Sequence, residues 1–100
     1  MIKHIVMWRL KESAHGNDLL TNATLIKEKL EALQGRVPGM TLLEVGLDFS
    51  RSESSGDVVL CSEFIDRKAL DAYQISPEHL ALGPFIGGAA LERRMVDYEV

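Results

Sequence analysis

The chain has 100 residues, 46% of them hydrophobic and 26% charged, which suits one globular core and leaves no room for a second. Eleven basic against fifteen acidic residues give a net charge of -4, the wrong sign for neutralising phosphates, so nucleic acid and anionic membrane surfaces are excluded as partners. A domain of this size buries only about 60 to 70% of its unfolded surface, and a partner subunit is the natural route to further burial.

The lone cysteine, Cys61, has no intrachain disulfide partner. The opening "MIKHIVMWRLKE" carries Lys3, Arg9 and Lys11, which interrupt any signal-peptide apolar core, and no apolar run approaches the roughly 20 residues that span a bilayer. The expectation is a single cytoplasmic domain over residues 1–100, without repeats or interdomain linkers.

Residues 2–10 alternate Ile2, His4, Val6, Trp8 and Leu10 on one face with Lys3, Ile5, Met7 and Arg9 on the other. Both faces carry apolar side chains, the mark of a strand covered on two sides. From Asn17 the period changes. Leu19, Ala23, Ile26, Leu30 and Leu33 recur at helical spacing, with Asn17 or Asp18 as the cap and Gly35 as the stop. "VPG" at 37–39 then turns the chain into a strand over 40–49, in which Leu43, Val45, Leu47 and Phe49 share one face. The serine-rich stretch 50–57 reads as a hairpin loop leading into a strand over 57–64.

Asp66 caps a short helix that turns Ala69, Leu70 and Tyr73 inward, and Ser76-Pro77 opens another helix. "GPFIGG" at 83–88 follows no strand and lacks the phosphate-loop lysine, so its glycines read as flexible chain. "RRMVDYEV" at 93–100 closes the chain as a strand. The order β-α-β-β-α-β is the ferredoxin-like arrangement: an α+β fold with a four-stranded antiparallel sheet and helices on one face. Apolar residues on the other face predict two such sheets packing as a homodimer.

Tyr73 and His79 lie on either side of a helix break, so both side chains are free to point at one space. Neutral imidazole at a helix start, next to a phenol, is suited to proton abstraction with stabilisation of the resulting enolate oxygen. The same residues also fit a structural role, as an aromatic at helical spacing and a packed first-turn histidine. His4 likewise reads either as a satisfied core histidine or as a partner to the pair. His15 falls in a polar loop and reads as solvated, and Cys61 as a small buried hydrophobe. The spacing of the three histidines and one cysteine shows no close ligand pair for a metal.

With His4 in the first strand, Tyr73, Pro77 and His79 in "YQISPEH", and the terminal "MVDYEV", the chain resembles the stress-responsive dimeric A/B barrel family, or Dabb, over essentially its whole length. The resemblance implies a dimeric α+β barrel with two sheets face to face. It does not imply one activity, since the family includes plant stress-tolerance proteins and a plant polyketide cyclase that closes a ring by aldol condensation. The cyclase's tyrosine and histidines match Tyr73, His79 and His4, while a further pocket histidine falls at about Val58. Two readings are therefore open. One is a cofactor-free pocket for an apolar or polyketide-like molecule, with His79 as base, Tyr73 as oxygen donor, His4 as acid or supporting partner, and Val6, Trp8, Ile26, Leu30 and Phe85 as walls. The other is a non-catalytic, stress-associated dimer.

Overall fold

The computed structural model describes all residues 1–100. Strand β1 (Ile2–Leu10) is followed by a minute hairpin, β2 (Ser13–Ala14) and β3 (Asn17–Asp18), then helix α1 (Leu19–Glu31) and strands β4 (Met40–Leu47) and β5 (Val58–Phe64). Three short helices, α2 (Arg67–Gln74), α3 (Pro77–Leu80) and α4 (Gly83–Ala89), lead to the last strand, β6 (Ala90–Glu99).

The main sheet has the order β4-β5-β1-β6, with every neighbouring pair antiparallel. It follows that β1 runs parallel to β4, and β5 to β6, with one strand between the members of each pair. These are two interleaved split βαβ units, the ferredoxin-like arrangement that the sequence periodicities predict.

The alternation in β1 sets the layers. Ile2, His4, Val6, Trp8 and Leu10 are all buried beneath the helices, and their cross-strand partners Phe64, Leu60 and Val58 are buried with them. Helix α1 contributes Ala23, Ile26 and Leu30 to this core, its apolar stripe falling where the three-and-four spacing places it. Asp18 is its N-cap, accepting from the Thr21 amide at 2.8 Å. Lys27 lays its ammonium 2.7 Å from the Val45 carbonyl, fastening the helix to β4.

The opposite sheet face has no helix over it. The strand registers put Ile5, Met7, Val59, Cys61, Val96 and Tyr98 together there, bordered by the Lys3–Glu63 ion pair at 3.0 Å. Cys61 is half-buried on this open face, not enclosed in the core, because its odd-numbered position in β5 points away from the helices.

Four local expectations change. His15 and Gly16, both at positive φ, form the turn of the β2–β3 hairpin that delays the helix to Leu19. Phe49 lies beyond the end of β4 and is 92% exposed. "GPFIGG" is helical, because Ile86 and Ala89 bury against the core and that packing outweighs the low helix propensity of glycine. The last strand begins at Ala90, several residues earlier than the charged "RR" pair signals, with Leu91 as a bulge between the Arg9–Glu92 and Leu10–Ala90 pairs. No helix is long and apolar enough to cross a membrane.

Candidate functional site

Between the sheet and helices α2–α4 lies a pocket of about 340 Å³. Strand β1 supplies His4, Val6 and Trp8, while α1 supplies Leu30 and β5 Leu60. Leu82, Gly83, Ile86 and Gly87 form the roof from α4, and Arg93 stands on β6. Tyr73 and His79 line it from either side of the helix break.

That break is built by three residues. Ile75 ends α2, and Ser76, in extended conformation, accepts from the His79 amide at 3.3 Å while its hydroxyl donates to the Tyr73 carbonyl at 2.7 Å. Pro77 occupies the first helical turn, where its missing N–H leaves no bond unmade. A single serine side chain thus bridges the end of one helix and the start of the next. The two rings it supports meet edge to face, with centroids 4.7 Å apart and planes at 66°.

Tyr73 is buried against Phe64 at 5.4 Å and against His4 at 6.4 Å, and its hydroxyl makes no hydrogen bond within the protein. Burial pushes the phenol up to about 12, with the Arg93 charge pulling weakly the other way. At neutral pH it is a hydrogen-bond donor. His79 is half-buried and its imidazole is held below its ordinary 6.5, chiefly by burial. The Gln74 backbone works against that shift, and the His4 and Arg93 charges reinforce it. Nδ1 of His79 is buried and makes no hydrogen bond. Glu78 contributes nothing to the shift, because its side chain is exposed. The α3 N-terminus adds little, since a single turn has almost no macrodipole.

His4, only 2% exposed, is fixed from behind. Its Nδ1 lies 2.5 Å from Oδ1 of Asp97, the facing residue on β6, leaving Nε2 as the atom available to the pocket. The Ser62 hydroxyl donates to the His4 carbonyl at 3.1 Å and holds the backbone at the same point.

The structure therefore gathers His4, Val6, Trp8, Leu30, Tyr73 and His79 around one cavity. Two of the expected walls lie elsewhere. Ile26 is one turn before Leu30 on α1 and is fully enclosed in the core. Phe85 sits on the other side of α4 from Leu82 and Ile86, stacked on His15 at 4.4 Å with Lys29 over its ring at 4.8 Å. His15 is accordingly engaged: exposed, but with Nε2 2.9 Å from the Phe85 carbonyl. Val58 is buried in the core under α1 and does not reach the cavity. Asp97 and Arg93 are the polar residues that sequence reasoning missed. Alternation along β6 in register with His4 and Trp8 was the available signal for both. No group of three or more His, Cys, Asp or Glu side chains converges as a metal site would.

These features define a ferredoxin-like α+β domain with a one-sided helical layer and an apolar pocket edged by tyrosine, histidine and arginine. The sequence profile of the stress responsive A/B barrel domain matches residues 2–100, and the chain belongs to that family. A dimeric protein of unknown function with a ferredoxin-like fold from Bacteroides fragilis is 31% identical, covering 99% of this chain and 95% of that one at a TM-score of 0.86. A Dabb family protein from Mesorhizobium loti (20% identity, 99% and 95% coverage, TM-score 0.76) shares the fold. So does a hydroxynitrile lyase from Passiflora edulis (18% identity, 99% and 92% coverage, TM-score 0.81). A search of curated proteins finds no match.

Proposed function

We propose that this chain is a cytoplasmic homodimer, paired through its open sheet faces, in which each subunit holds a small apolar or polyketide-like molecule and performs cofactor-free enolate chemistry on it. The observation that carries this reading is the His79 ring, held neutral by burial and in edge contact with the Tyr73 phenol, at the wall of a 340 Å³ cavity. Pockets of this size suit small-molecule ligands.

In such a reaction His79 takes a proton from a carbon next to a carbonyl. The C–H electrons move onto the carbonyl oxygen, and the Tyr73 hydroxyl donates to the enolate so formed. The enolate carbon then attacks a second carbonyl in an aldol-type ring closure, or is reprotonated at another carbon in an isomerisation. His4, held by Asp97, supports a proton return to the new oxygen. The dimeric B. fragilis protein supports the homodimer, as do Met7, Val96 and Tyr98 on the uncovered face.

Native mass spectrometry of the protein purified from its own cells tests the reading. A dimer carrying one small molecule per subunit, lost in His79→Ala with the dimer intact, is the expected result. A ligand-free dimer whose His79→Ala variant unfolds would instead favour the second reading, a non-catalytic stress-associated dimer, which the apolar sheet face supports independently of any pocket.

A further inference from the structure

Arg93 is the one residue in the pocket wall with a fixed formal charge, and no carboxylate lines the cavity with it. Every other cation on β1 and β6 has an acidic partner: Lys3 has Glu63, Arg9 has Glu92 and Arg94 has Glu92. Arg93 has none. Arg93 is exposed at the rim of the pocket, and its only side-chain contact of hydrogen-bond type is from Nη2 to the Met95 sulfur at 3.7 Å, a weak acceptor that leaves the guanidinium fork open to a ligand from solvent. The nearest carboxylate on its strand face, Asp97, is committed to His4.

Its position matches the reacting pair. Arg93 faces Trp8 across the β1–β6 ladder, so its side chain rises from the same sheet face as His4 and Trp8. Its charge is felt at both Tyr73 and His79. The surrounding walls, Val6, Leu30, Leu60 and Ile86, offer apolar contact.

We infer that the pocket selects an apolar monocarboxylic acid, with Arg93 binding the carboxylate and the apolar body seated between Trp8 and α4. One guanidinium against one carboxylate gives a planar two-point match and leaves no charge over. A multiply charged phosphate would need further cations that the cavity lacks. The inference rests on the small-molecule reading above, and adds which molecules are taken: acids in preference to their neutral analogues.

Trp8 lines the pocket and is the sole tryptophan, so its fluorescence reports occupancy. Hexanoate, octanoate, decanoate and hydrocinnamate are titrated, each against its own primary amide, into the wild type, Arg93→Lys and Arg93→Met. The expected result is that the best acid binds the wild type about tenfold or more tightly than its amide. Arg93→Met should lose this preference while still binding the amide, and Arg93→Lys should keep part of it. Acid and amide binding equally well, with Arg93→Met unchanged, would overturn the carboxylate assignment and leave the pocket standing. No binding by any acid or amide would overturn both. Circular dichroism of the variants guards against a fold defect, and an unfolded Arg93→Met would leave Arg93→Lys and the wild-type acid-to-amide ratio to decide.

Discussion

His4 and Asp97 face each other across β1 and β6, with Nδ1 and Oδ1 2.5 Å apart, although 93 residues separate them in the chain. The carboxylate fixes the imidazole so that Nδ1 is the occupied nitrogen and Nε2 the free one. Asp97→Asn should therefore keep the fold, at a cost of about 1 to 2 kcal/mol in chemical denaturation, the range for a partly exposed charge-assisted hydrogen bond. Ligand binding should weaken less than turnover, because the substitution disorders the orientation of His4 without altering the walls. Equal losses in both would assign Asp97 a purely structural role.

His79 gives a pH signature with a definite sign. Its folded-state pKa lies below 6.5, so the unfolded chain binds the proton more readily and stability falls as pH drops below about 6.5. The loss is complete once pH passes below the folded value. Urea midpoints followed from neutral to mildly acidic pH should show this decline in the wild type, with a smaller one in His79→Gln. Parallel profiles for the two proteins would contradict the burial argument.

Tyr73 separates ring from hydroxyl. Tyr73→Phe keeps the packing against Phe64, His4 and His79, and should change stability by no more than about 0.5 kcal/mol, since the hydroxyl has no protein partner. Tyr73→Ala should cost about 3 to 5 kcal/mol by emptying a core position. In an ultraviolet titration, a tyrosinate step near pH 12 should disappear in Tyr73→Phe.

Gly87 lines the pocket, and a Cβ added there meets nothing within 4 Å. Gly87→Ala should raise stability by about 0.5 to 1 kcal/mol through helix propensity while narrowing the cavity. Gly39 is the contrasting case. It sits at φ +81, and a methyl group added to it would lie only 2.6 Å from Ala69 Cβ. Gly39→Ala should therefore destabilise by at least about 1 kcal/mol. Thermal melts of the two variants should move in opposite directions, and ligand affinity should fall in Gly87→Ala alone.

The uncovered sheet face predicts assembly. Val96, 58% exposed and paired with Ile5 in the register, sits on that face. Val96→Glu should shift the protein from dimer toward monomer in light scattering, because pairing through this face would take the carboxylate out of water among Ile5, Met7 and Tyr98.

Most of the fold and about half of the site are legible in the order of residues alone. Period-two alternation in β1 and β5, and period-three-and-four spacing in α1, reflect which face meets the core, so burial follows directly from order. The Ser76-Pro77 break is legible for a related reason: proline and a capping serine act locally. Placement of Phe85 and the helicity of 83–89 are not, because glycine-rich chain has little preference of its own and packing of Ile86 and Ala89 decides it. Nor are Asp97 and Arg93 visible as site residues, since what brings them to His4 and Trp8 is the β1–β6 register. Strand pairing between distant segments is a tertiary event, fixed by which faces bury together, and only the folded sheet shows which charged side chain keeps a partner and which is left facing the pocket.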